Sequence, residues 1–395
     1  MISLVIPWET ALPGGVSVVV RQLHAAWQRA GVPAQVLIDQ WPQGKSSFSD
    51  LGVATSFFLL ATQQGTLALL KSMLRAPGRL WGVSRQLKRH KVTALNFHYA
   101  STNALAPALL KLLGLYKGAL VLSFHGTDVR APQGILELLA WRLIFRECDA
   151  VTFCSDALRQ TALNILPLPT HKAVVLYNGV DTSLFRPVPG RSAAAPLHLT
   201  SINTLADYVI SVGSYIPRKD HRVLLMAVAQ LPAQYANLRV TVVGAHGPEL
   251  PKLIQLSEAL GLSARTRFLC DLSPVAVAEV VAQARLCVQP AQAEPFGLAV
   301  IEAAACEVPV IATDVGGHCE IIQHGLTGWL FPVGDVAACA RAIQEALVFP
   351  EDAKARAQVL AAQVRKRFTW DGLAEGLLHL MKGHTTTSSD KHEAR

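Results

Sequence analysis

The chain has 395 residues. At roughly 100–200 residues per domain that is room for two or three domains, with a full apolar core that needs no disulfide or structural metal. Apolar residues make up 51% and charged residues 16%, which excludes a disordered or fibrous chain. The net charge of +8 is uneven: residues 1–190 hold 18 Lys and Arg against nine Asp and Glu, whereas residues 191–395 hold 18 against 19.

The chain opens directly on a strand-like run, Ile2–Ile6, so no leader is expected. Short apolar runs follow at Gln35–Ile38, Ala94–His98, Leu120–Phe124, Val151–Cys154 and Val174–Leu176. A second series covers Tyr208–Val212, Leu238–Val243, Arg267–Leu269, Leu286–Gln289, Val308–Ala312 and Gly328–Phe331. Most are continuously apolar, as strands buried on both faces of a parallel sheet must be, and longer amphipathic stretches separate them. The pattern predicts an α/β chain of βαβ units in two doubly wound parallel-sheet domains facing a cleft. The stretch Arg186–Thr204, with Pro187, Pro189, Gly190 and Pro196, reads as their connection, and His384–Arg395 as a polar tail.

The most apolar span, Leu51–Leu70, is broken by Thr62, Gln63, Gln64 and Gly65. It falls short of the about 20 apolar residues a membrane-spanning helix needs. Between Asp50 and Asp128 no acidic residue occurs, while Lys71, Arg75, Arg79, Arg85, Lys88, Arg89, Lys91, Lys111 and Lys117 alternate with bulky apolar residues such as Leu74 and Trp81. Such a surface suits an anionic membrane face; an ordinary helical core with a solvated cationic face is the plainer reading. No recognised nucleic-acid motif accompanies the charge, so nucleic acid is not expected as a partner. The seven cysteines form no CxxC pair and are odd in number, which predicts buried thiols in a cytoplasmic protein.

Candidate site residues cluster after the strand-like runs. Gly14–Gly15 precede an apparent helix Val16–Arg29, where backbone N–H groups favour an anion, although any strand-to-helix turn needs glycine. The run Ser123–Asp128 places His125 just past a strand, with Asp128 suited to cap a following helix. Arg218 and Lys219 follow Gly213, as a diphosphate clamp or as cations of a solvated turn. Glu294 and Glu302 are eight residues apart, close to two helical turns, and flank Phe296, Gly297 and Leu298, whose N–H groups form a helix start. Gly316 and Gly317 suggest close backbone approach to a ligand or an ordinary turn.

Taken together and in order, these residues resemble the retaining nucleotide-sugar glycosyltransferases of family 4, also called group 1, which have the GT-B fold. Asn178-Gly179-Val180-Asp181 with Phe185 and Pro187, the Gly325-Leu326-Thr327-Gly328-Trp329 run and Phe368 with Trp370 complete the likeness, which covers about residues 1–382. The resemblance implies an acceptor-side domain over 1–190, a donor-binding domain over 205–367 and a helix over 368–383 that crosses back to the first domain. It implies that Glu302 holds the donor ribose, Glu294 the transferred sugar and Lys219, with Arg218, the diphosphate. His125 lies near the sugar's 6-position, Gly15 lends N–H to phosphate, and Gly316–Gly317 lie near the nucleotide. The implied reaction needs no metal and no cofactor beyond the nucleotide-diphosphate sugar. It retains anomeric configuration, and the leaving diphosphate takes the acceptor's proton. The basic, apolar-rich surface of the first half suits a lipid-linked or cell-surface glycan intermediate as acceptor, met on the inner face of the cell membrane. One departure matters: Ser214 stands where the family usually has Arg, and Arg218 is the candidate replacement. Pro295 and Cys270 are smaller departures. A non-catalytic nucleotide-sugar-binding scaffold, or another GT-B enzyme such as a sugar-nucleotide epimerase, is the alternative.

Overall fold

The short apolar runs form two wholly parallel sheets whose strands mostly alternate with helices, the central strands being the most deeply buried. The structure is a computed structural model that describes residues 1–8, 14–39, 52–57, 59, 66–188 and 208–382. These residues divide into two units, Met1–Asn178 with Trp370–Arg395, and Gly179–Thr369. Most of the Arg186–Thr204 stretch and the polar tail lie outside the described residues.

In the first unit the chain runs β1 (Ile2–Ile6), α1 (Gly15–Arg29), β2 (Ala34–Asp39), β3 (Gly52–Thr55), α2 (Thr66–Arg89), β4 (Ala94–His98), α3 (Leu105–Leu112), β5 (Ala119–Phe124), α4 (Ile135–Glu147), β6 (Ala150–Phe153), α5 (Asp156–Ile165) and β7 (Ala173–Val175). The sheet order is β3-β2-β1-β4-β5-β6-β7, so strand order reverses between β1 and β4. Strands β1, β4 and β5 are buried along their whole length, which is why their sequences show no alternation. Buried hydroxyls and amides are paired across the strands: Asn96 Nδ2 donates to Ser123 Oγ at 2.8 Å, and Ser123 Oγ meets Thr152 Oγ1 at 2.8 Å.

The second unit runs β8 (Tyr208–Val212), α6 (His221–Ala229), β9 (Arg239–Gly244), α7 (Leu250–Ala259), β10 (Thr266–Cys270), α8 (Pro274–Ala282), β11 (Leu286–Gln289), α9 (Leu298–Ala305), β12 (Val310–Thr313), α10 (His318–Ile321), β13 (Trp329–Phe331), α11 (Val336–Val348) and α12 (Pro350–Arg367). Its order, β10-β9-β8-β11-β12-β13, reverses between β8 and β11. Ser273 and Asp335 cap α8 and α11 through backbone N–H groups. The last helix, α13 (Trp370–Lys382), packs on α1 within the first unit. Trp27 Nε1 donates to the Ala374 carbonyl at 3.1 Å, and Arg29 pairs with Asp371.

Leu51–Leu70 contains β3 and the start of α2, and, as its interruptions suggested, among the described residues no helix is long and apolar enough to cross a membrane. Two expectations are corrected. All seven cysteines are free thiols, but Cys319 is exposed and Cys270 half-buried. Asp128 caps no helix: α4 begins at Ile135 behind Gly134.

Candidate active site

Parallel α/β sheets present ligand sites at the carboxyl ends of the strands, where strand order reverses. In the second unit, the loops after β8 and β11 flank that point and carry Arg218, Lys219 and Glu294. Beyond β8 the chain makes a single tight turn, Pro217–Lys219, stopped by Asp220 in the left-handed region (φ 43°). Asp220 is held there by Gln292 Nε2 at 3.1 Å and by Arg222. The stem of Lys219 lies along Gly213, where a Cβ would come within 3.0 Å of Lys219 Cδ. Gly213 therefore opens the lane that aims Lys219 Nζ at Glu294 Oε2, 2.6 Å away. The two side chains are 17% and 12% exposed, so water screens the pair weakly.

Burial alone would raise the Glu294 carboxyl, but the charges of Lys219, His318 and Arg218 bring it below its ordinary value. Glu302 behaves oppositely: burial pushes it up to about 7, and Lys219 opposes this only in part. Lys219 thus acts on both carboxyls, one ionised and one about half ionised at physiological pH. The eight-residue spacing does not span two turns of one helix. Glu294 lies in the loop after β11, and Glu302 lies in the second turn of α9. Leu298 opens that helix, Gly297 precedes it at φ 113°, and no side chain caps its end. Phe296 is a packing residue whose ring meets Phe368 edge-on at 5.5 Å.

Gly316 and Gly317 approach the chain itself. A Cβ on Gly316 would overlap the Glu294 carbonyl, and one on Gly317 would overlap Phe296, while Gly317 N donates to Glu294 O at 2.9 Å. The glycine pair clamps the loop that carries Glu294. His318 packs its ring against Gly297 and shares a hydrogen bond of 3.1 Å between Nδ1 and the Thr313 carbonyl. His221 is likewise buried: Ser211 Oγ lies 2.9 Å from its Nδ1 and the Gly213 carbonyl 3.0 Å from its Nε2, and burial lowers it to about 4. It supports the Gly213 turn as a neutral ring.

Gly15 and His125 belong to the first unit, one at a helix start and the other in the turn after β5. Gly15 is the first residue of α1, with Gly14 ahead of it at φ 153° and no side-chain cap. His125 follows β5. Its backbone N–H donates to both carboxylate oxygens of Asp128 at 3.0 Å, and Gly126 N donates to Asp128 Oδ1 at 2.6 Å. Burial raises the Asp128 carboxyl to about 6 although those N–H groups favour its charged form. Its role is to fix the turn that presents His125. The His125 ring stacks on His98, with Nε2 3.0 Å from His98 Nδ1, and burial lowers His125 to about 4. Tyr99, at φ 56°, joins Thr127 through its hydroxyl at 2.8 Å and meets the Trp8 ring edge-on.

Residues 13–184 match the family described as Glycosyltransferase Family 4, and residues 200–361 match Glycosyl transferases group 1. The D-inositol 3-phosphate glycosyltransferase of Mycobacterium leprae is 33% identical over 256 residues, 64% of this chain and 58% of that protein. The chain thus spans little more than half the length of such curated relatives. Among solved structures, Anabaena HepE in complex with UDP and glucose superimposes with a TM-score of 0.72 at 21% identity, covering 97% of this chain and all of that one. The sucrose-phosphate synthase of Thermosynechococcus elongatus gives 0.75 at 22% identity, covering 98% and 99%. These likenesses show the GT-B fold.

Proposed function

The chain belongs to the group 1, family 4-like glycosyltransferases, and from that premise we propose that it moves a sugar from a nucleotide-diphosphate donor to a glycan or lipid-linked acceptor. The observation that carries this reading is the Lys219–Glu294 pair at the strand-order reversal, with Glu302, raised to about 7 by burial, within reach of the Lys219 charge. A diphosphate competes with Glu294 for Lys219 and takes added charge from Arg218, which serves in place of the residue that Ser214 lacks. Glu294, once released, accepts hydrogen bonds from sugar hydroxyls; Glu302 receives the ribose; the uncapped α9 start gives N–H groups to phosphate. His125 meets the sugar near its 6-position, and Gly15 meets phosphate.

With charge building on the leaving diphosphate, Lys219 stabilises departure, and the diphosphate oxygen takes the acceptor's proton on the same face. The anomeric configuration is retained. The charge is met by side-chain cations, so the proposed step uses no metal.

For the acceptor we favour a membrane-borne glycan intermediate. Leu74 is 85% exposed and Trp81 66% exposed on α2, and Ile135 is 64% exposed on α4. Arg75, Arg85, Lys88 and Arg89 share α2, with the Arg85 guanidinium 5.5 Å from the Trp81 ring. Apolar side chains with cations around them suit an anionic leaflet on the cytoplasmic side. A non-catalytic nucleotide-sugar-binding role is the second reading, favoured by Ser214.

The test is release of free nucleotide from a panel of UDP- and GDP-sugars, with UDP-glucose first because HepE was solved with UDP and glucose. The proposal expects turnover of at least one donor and its loss in Glu294→Gln. Saturable binding without turnover would favour the scaffold.

A further inference from the structure

The pairing of His98 with His125 goes beyond the motif that singled out His125. His98 is the last residue of β4, in register with Ser123 of β5, and is 2% exposed. The two rings stack with centroids 5.2 Å apart and planes 20° from parallel. His98 Nδ1 lies 3.0 Å from His125 Nε2, while His98 Nε2 is buried with no hydrogen-bond partner among the described residues. Burial lowers both rings, and charge on His125 further disfavours charge on His98, so the pair is neutral at physiological pH.

Two neutral imidazoles facing through one nitrogen each share a single hydrogen there, and its owner decides the tautomer of both. If it sits on His125 Nε2, His98 must carry its own on Nε2, which makes a buried donor without an acceptor. If it sits on His98 Nδ1, the partnerless atom is a bare lone pair, and orphaned N–H groups are the rarer defect in folded chains. His125 then keeps its hydrogen on Nδ1. Its Nε2 is occupied in either case, so Nδ1 is the ring atom left to meet a ligand.

We infer that His98 is a positioning residue: it donates from Nδ1 to His125 Nε2, fixes the His125 ring, and makes His125 present an Nδ1–H donor to an oxygen of the bound sugar. The backbone of the same turn is fixed independently by Asp128, so ring and main chain are held by separate contacts.

The sugar part of this inference rests on the transferase reading; the tautomer part does not, and the test separates them. In protein labelled with 15N-histidine, His125 is assigned by the signals lost in His125→Gln, and the two nitrogens report which carries hydrogen. The expected result is Nδ1–H at His125 in the wild type and in His98→Asn, whose amide places an N–H where Nδ1 stands. His98→Leu removes the donor and is expected to abolish that preference. In turnover, His98→Asn is expected to keep kcat near wild type, and His98→Leu to lower kcat by roughly 10–100-fold with KM for the donor little changed, the scale of a misplaced contact. Hydrogen on His125 Nε2 in the wild type overturns the proposal whatever the kinetics, as does equal kcat for the Asn and Leu variants. The predicted tautomer without turnover of any donor would sink the transferase reading and leave the His98 assignment standing.

Discussion

Lys219→Met strands the Glu294 carboxylate, whose one cationic partner within salt-bridge distance among the described residues is Lys219 at 2.6 Å. Removing one member of a fully buried ion pair costs about 3–5 kcal/mol, and an exposed pair contributes about 0–1 kcal/mol. With side-chain exposures of 17% and 12%, the pair stands nearer the buried limit. We expect about 2–3 kcal/mol of destabilisation for Lys219→Met. Glu294→Gln should cost less, about 1–2 kcal/mol, because the long Lys219 stem can swing its charge toward water. In the double variant no charge is stranded, so its loss should fall below the sum by about 1.5–2.5 kcal/mol. Urea denaturation of the full chain with unchanged m-values reads these differences. The pH dependence has a definite sign. The Glu294 carboxyl is held below its ordinary 4.5, so its contribution is complete above that pH and is lost as pH falls through the folded value. The gap between wild type and Lys219→Met must therefore narrow below about pH 4.5. A coupling under about 0.5 kcal/mol, or a gap that does not narrow in acid, would refute the reasoning.

Glu302, raised to about 7, gives the opposite trend: the folded state binds its proton more tightly, so wild-type stability falls as pH climbs from the ordinary 4.5 toward 7. Glu302→Gln should remove that slope in denaturation curves. Nucleotide affinity of the wild type should rise through the same upper range as the carboxylate forms. Gly317→Ala should displace the Glu294 loop and destabilise by about 1–3 kcal/mol, the cost of overpacking, whereas Gly213→Ala should cost little stability while weakening nucleotide binding, because only the Lys219 stem must yield. Equal stability losses would show that the Gly213 lane is not what aims Lys219. Trp81→Ser with Leu74→Ser should reduce flotation with anionic liposomes; undiminished flotation, or equal binding to neutral vesicles, would count against the α2 surface.

Much of the fold was readable because buried parallel strands such as Val209–Val212 and Leu120–Phe124 admit no polar alternation. Lys219 and Glu294 were found because both follow strand-like runs, where parallel sheets place ligands. Strand β3, Gly-Val-Ala-Thr, was missed: it is short and adjoins apolar residues that resemble a longer hydrophobic segment. His98 was absorbed into a strand, since the sequence carries no mark of a ring pairing across to the next strand. Asp128 looked like a helix cap because its real partners are backbone N–H groups of its own turn, which leave no side-chain signature. Gly316 and Gly317 were read as sites of close approach to a ligand or as an ordinary turn, whereas the atoms that crowd them belong to Glu294 and Phe296.

In the proposed reaction Lys219 and Glu294 hold, respectively, the diphosphate and the sugar of one donor. The most direct measurement compares, by calorimetric titration, a nucleoside diphosphate and its sugar conjugate on wild type and Glu294→Gln. The variant should bind the diphosphate at least as tightly, because Lys219 has lost its competitor, while the additional affinity conferred by the sugar disappears. Weaker diphosphate binding in the variant, or a sugar contribution that survives intact, would contradict it.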